Sequence, residues 1–190
     1  MTLPANSQKW IQLLDKGQTV ELKMEIKALA KGGSVDIEKC LNEGTQVSVW
    51  NKAQGKPYTA KFLIVLISDM VNAFNVNRPM SADQIGDLAI DMVNDLWEYR
   101  IEEIAAFFES MKRGTYFKVY ERLDASIIWE AWDNYLDRRF EVIEARRSQG
   151  IFKDPTITPT DGETKRAGRL EKIGQGLLDI KNLREKPKSE

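Results

Sequence analysis

The chain has 190 residues, with 28 lysines and arginines against 29 aspartates and glutamates, one cysteine and no histidine. It therefore lacks the side chain best suited to acid–base work near neutrality and the commonest zinc ligand, and the lone Cys40 has neither a disulfide partner nor a histidine to activate it. A net charge of −1 exerts no global pull on polyanions, and the longest apolar run, Phe62 to Ile67, is too short to span a bilayer; the expectation is a cytoplasmic, non-enzymatic protein with no cofactor and no metal.

Asn6 and Ser7 can cap a short helix carrying Trp10, Ile11 and Leu14. Glu21 to Ala30 reads as helix rather than strand, because Glu, Lys, Leu, Met and Ala dominate it and Gly32-Gly33 stops it. Ser34 is the expected cap of a helix to Asn42. Gln46 to Trp50 is β-prone, and Gln54-Gly55-Lys56-Pro57 reads as a loop. With Thr59 as N-cap, Phe62, Leu63, Leu66, Ile67, Met70, Val71 and Phe74 recur at helical spacing with few charges, which predicts the central buried helix.

A turn spans Asn75 to Met80, and Ser81 with Gln84 forms a capping box for a helix whose inner face is Ile85, Leu88, Ala89, Met92, Val93 and Leu96. Another helix runs from Ile101 to Arg113, with Ile104, Phe107, Phe108 and Met111 inward and Gly114 where a left-handed cap is expected. Asp124 or Ser126 starts a long helix to Arg147 that carries Trp129 and Trp132. Gln149 to Gly162 reads as a linker, and Leu170, Ile173, Leu177 and Ile180 beyond it form a short apolar seam among lysines and arginines. The fold predicted is mostly α: a compact bundle of about five to seven helices with a flexible linker and a C-terminal amphipathic helix. Its parts are an N-terminal helical subregion (1–58), a core helical domain (59–148), the linker (149–162) and a basic amphipathic tail (163–190) through which the chain can oligomerise or order on a partner.

Two surfaces of opposite sign are candidate sites. Asp83, Asp87, Asp91 and Asp95 recur every fourth residue, an acidic ridge extended by Glu98, Glu102 and Glu103. Like charges at this spacing repel by a few tenths of a kcal/mol per pair, so the row suggests a docking surface for a basic partner or a mimic of a phosphate backbone, against the plainer reading of a solvated face. A linear ridge does not converge on a metal. Lys112, Arg113, Lys118 and Arg122 interleave with Tyr116 and Tyr120, a pattern that can hold phosphates while bases stack. The plainer reading has the aromatics plugging a helix junction while Arg122 pairs with Asp124 or Glu121.

Phe74-Asn75-Val76, Met80 and Gln84, then Lys112, Gly114, Tyr116, Lys118, Val119, Tyr120, Arg122 and Asp124, and finally Tyr135 and Arg139 resemble the pattern of a family of small helical proteins of unknown function from Bacteroidetes, their phages and mobile elements. Phe117 stands where that family has a second glycine, and Trp132 sits one place from its tryptophan. The resemblance, with the analogy of short helical phage proteins that load or inhibit replicative helicases, implies an accessory role in DNA replication. Alternatives are a virion structural or assembly protein and an inhibitor of a host defence protein.

Overall fold

A computed structural model describes residues 3–118 and 122–149. It contains eight helices: α1 (Ala5–Asp15), α2 (Thr19–Lys27), α3 (Ile37–Glu43), α4 (Val47–Gln54), α5 (Lys56–Val71), α6 (Ala82–Asp95), α7 (Ile101–Met111) and α8 (Ala125–Ser148). A 3₁₀ turn at Lys31–Gly33 separates α2 from α3, and among the described residues no β-strand is present beyond two isolated bridges. The mostly α architecture read from the periodicity is the one observed. Residues 1–142 form one compact unit, and the second, residues 143–190, is described only as far as Gln149.

Several boundaries follow local capping chemistry. Ser81 accepts from the Gln84 backbone N–H at 3.3 Å while the Gln84 side chain accepts from the Ser81 N–H at 2.9 Å, which closes the expected box at the start of α6. Gly114, at φ 72°, ends α7 as anticipated, its N–H donating to the Met111 carbonyl at 2.8 Å. Asp124 starts α8, its Oδ1 accepting from the N–H groups of Ser126 and Ile127.

Other boundaries differ from expectation. Asp36 rather than Ser34 caps α3, accepting from the Lys39 N–H at 3.2 Å. The β-prone stretch at Gln46 is the start of α4, because the N–H groups of Val47 and Ser48 are satisfied by the carbonyls of Tyr99 and Trp97, and Val47 and Trp50 then turn one face inward. The loop expected at 54–57 shrinks to Gly55, whose φ of 87° lets α4 break into α5 within one residue. Lys56 and Pro57 begin α5, a position where proline costs no hydrogen bond. Thr59 is consequently not a cap; it is buried inside α5, its hydroxyl donating to Asn51 Oδ1 at 2.6 Å. Ser7 lies within α1 and is buried too.

The central helix is α7, not α5. All eleven residues of α7 are buried, including Glu102, Glu103 and Glu109, and α2, α3 and α5 pack on it. Phe107 anchors an aromatic cluster, edge-on to Trp132 with centroids 4.9 Å apart and stacked on Tyr116 at 5.8 Å, with Tyr135 tilted against it at 5.7 Å. Each such ring contributes about 1.5–3 kcal/mol by burial, and favourable ring geometry adds to that. Along the inner face of α5, Phe62 lies between Trp10 and Trp50. The outer face of α5 is lined by α6 on one side and remains open at Lys61 and Ile64.

Candidate functional site

The capping box fixes the start of α6, and burial of Ile85, Leu88, Ala89, Met92 and Val93 fixes its rotation. Asp83, Asp87, Asp91 and Asp95 are thereby all turned outward and exposed, in one row. Among the described residues, no lysine or arginine forms an ion pair with any of the four. The row gives the helix little: Asp83 suits the positive N-terminal end, but Asp95 stands at the negative C-terminal end, and neighbouring members repel. Among the described residues, no three of Asp, Glu and Cys gather closely enough to hold a metal ion.

Glu102 and Glu103 do not extend this ridge, because the chain leaves the helix after Asp95 and both residues re-enter on the buried α7. Glu102 Oε2 accepts from the Thr45 N–H at 2.7 Å and Oε1 from the Ser7 hydroxyl at 2.9 Å, which is itself bonded to the Thr45 hydroxyl at 2.6 Å. Burial raises the Glu102 pKa despite these donors. Glu103, fully buried, accepts on Oε1 from the Tyr135 hydroxyl and from Arg139 Nε at 2.6 Å, and the Arg139 guanidinium lies 5.2 Å from the Tyr99 ring centroid. Cys40 is buried nearby, its thiol pushed well up by burial and then by the two glutamates. These acids tie α1, the segment between α3 and α4, and α8 to α7.

The basic aromatic junction is only partly open. Lys112 is drawn inward, its Nζ donating to Asp69 and, at 2.7 Å, to Glu109 Oε2, while Lys23 also meets Asp69. Burial would raise the Asp69 carboxyl and lower the Lys112 ammonium, but their pairing reverses both, leaving Asp69 below and Lys112 above the ordinary value. Tyr116 belongs to the core, with its hydroxyl accepting from the Val35 N–H at 3.3 Å, and burial raises its pKa. Arg122 pairs with Asp124 at 3.0 Å and stays largely exposed, as do Arg113 and Lys118. Tyr120 lies outside the described residues, as do Leu170, Ile173, Leu177 and Ile180 of the tail. Trp132 is buried, and Glu141 and Glu144 form surface pairs with Arg138 and Arg147.

No family model matches the chain, and no curated protein or solved structure is similar to it. The candidate site accordingly rests on geometry: an exposed aspartate row on α6.

Beside that row the structure reveals residues that sequence reasoning passed over. Ile90 is 53 % exposed and Ile64 37 % exposed, and they line an apolar groove of about 410 Å³ between α5 and α6. The available signals were Ile90, stranded among aspartates and outside the predicted inner face, and Gly86 in the middle of a helix.

Proposed function

We propose that this protein is a non-enzymatic adaptor or accessory protein that binds another protein through the aspartate row of α6. The observation that carries this reading is a row of four exposed carboxylates, unpaired among the described residues and held on a helix capped at its start. Such a row costs local stability and gains electrostatic steering towards a basic surface. The buried state of Glu102 and Glu103 supports a binding role over catalysis, since both carboxylates accept from internal donors. The resemblance to proteins of Bacteroidetes phages and mobile elements suggests the host cytoplasm as the place, and the separate analogy with short helical phage proteins that load or inhibit replicative helicases suggests DNA replication as the setting.

Quantitative affinity capture from the cells that express the protein tests this, comparing the full chain with the double variant Asp87→Lys/Asp91→Lys. A captured protein lost in the double variant and retained by Glu130→Lys, an exposed acid on α8, is the expected result. Retention of every captured protein by the double variant contradicts it.

A further inference from the structure

The groove between α5 and α6 is floored and walled by Pro57, Ala60, Ile64, Gly86, Ile90 and Val93. Its two sides carry opposite charge. Gly86, Ile90 and Asn94 on the α6 wall each follow an aspartate by three residues, Asp83, Asp87 and Asp91, and that spacing makes side chains neighbours on a helix surface. The aspartate row is therefore the α6 lip of the groove. Lys61 stands on the α5 side, and Lys56, also from α5, reaches across one end of the groove, its Nζ donating to Asn94 Oδ1 at 2.8 Å.

Gly86 is the residue that the fold does not explain. A glycine inside a helix costs about 1 kcal/mol relative to alanine. Its backbone is ordinary helix, and a Cβ placed on it would meet nothing within 4 Å. Neither conformation nor internal packing asks for glycine here, whereas close approach of a second backbone does. Two exposed isoleucines, one from each helix, beside a bare stretch of α6 have the character of a groove that seats an apolar helix face. The walls run from Lys56 to Ile64 and from Gly86 to Asn94, roughly 12 Å of helix on each side at about 1.5 Å per residue. That length fits two to three turns of an occupant.

We infer that this groove receives an amphipathic helix of a partner protein, with its apolar stripe on Ile64 and Ile90, its backbone over Gly86 and a lysine- or arginine-rich edge along the aspartate row. The inference rests on the reading of that row as a binding surface and adds the class of partner. Charge complementarity selects the occupant: a basic edge is attracted by α6, while an acidic or wholly apolar helix leaves the row unanswered.

The test is selection from a displayed library of helical peptides on the immobilised full-length protein. The library fixes Leu or Ile at a helical spacing of three and four and randomises all other positions. Enrichment of peptides with Lys or Arg along one edge of the stripe is expected. Fluorescence anisotropy with the selected peptides should show affinity falling by about tenfold or more in Gly86→Phe and in Ile90→Gln, both at exposed or open positions. A similar loss is expected in Asp87→Lys/Asp91→Lys, shrinking as salt rises. No enrichment, or enrichment of non-basic peptides, overturns the inference. If the aspartate double variant abolishes binding and both groove variants leave it intact, the groove fails as the site while the aspartate row stands. If the groove variants act and the aspartate variant does not, the basic edge and the reading beneath it both fall. Self-association of the full chain in sedimentation, lost in Gly86→Phe, would make a second copy the occupant and overturn the partner assignment.

Discussion

Replacing Arg139 by methionine keeps most of the aliphatic stem and removes the cation that faces Glu103. In the native unit the Glu103 carboxylate is fully buried, with Arg139 Nε 2.6 Å away and the Tyr135 hydroxyl on the same oxygen. Its other oxygen has the Arg100 N–H at 3.5 Å, a marginal contact. Breaking one side of a buried pair costs about 3–5 kcal/mol, because the remaining charge loses its compensation without regaining water. Loss of the guanidinium over Tyr99 adds roughly 0.5–1 kcal/mol. Against a total stability of about 5–15 kcal/mol this is a large fraction, and it lowers the melting midpoint by roughly 7–24 °C. The double variant Glu103→Gln/Arg139→Met removes both charges while leaving Tyr135 an acceptor, so it should recover at least about 2 kcal/mol relative to the sum of the single changes. Urea titration followed by far-ultraviolet circular dichroism measures all four corners of the cycle. A cost below about 1 kcal/mol for Arg139→Met, or an additive double variant, would refute the view that α7 is anchored by this pair.

Gly44→Ala should destabilise by roughly 1–3 kcal/mol, since its Cβ would stand 2.4 Å from the Cys40 carbonyl oxygen and 2.9 Å from Arg100 Cβ, whereas Gly86→Ala should stabilise by about 0.5–1 kcal/mol; thermal melts distinguish them. Glu102→Gln should raise stability relative to the native protein at neutral pH. Burial raises the folded pKa of Glu102, so its ionised form weakens the fold above that value and the penalty fades as pH falls towards about 4.3, the ordinary unfolded value. Urea titrations at several pH values should therefore show the advantage shrinking in acid. Asp69 has the opposite sign: its folded pKa is lowered, so its contribution is present at neutral pH and lost as acid passes through the folded value, and Asp69→Asn should flatten the acid limb of the pH–stability curve. Gel-shift titration of single-stranded DNA at two salt concentrations should show no difference between the native chain and Lys112→Met, because Lys112 is committed to Asp69 and Glu109; a loss of binding would show that it contacts the phosphates.

Much of the fold was readable because its signals are local. Ser81 with Gln84, Gly114 after Met111 and Asp124 before α8 act within a few residues, and the structure uses each of them as chemistry requires. What escaped depends on distant groups. Val47-Ser48-Val49 looks like a strand until the carbonyls of Tyr99 and Trp97 accept the first donors of α4. Glu102 and Glu103 look like surface until Thr45, Ser7, Tyr135 and Arg139, from three separate places in the chain, are brought around them. This is why α7 read as a half-exposed helix and α5, with its long apolar run, as the centre. At the candidate site, the aspartate row was legible from its spacing alone, since the inner face of α6 left it nowhere to go but outward. The groove beside it was not, because Ile64 and Gly86 belong to different helices and meet only after α5 packs on α6.

Hydrogen–deuterium exchange of the full chain, with and without a captured protein partner, tests most directly whether the outer side of α6 is the working surface. Protection is expected in Ala82–Asp95 and along the first turns of α5, with α7 already slow to exchange in both states. Protection confined to the basic stretch from Arg113 to Lys118, with α5 and α6 unchanged, would contradict it.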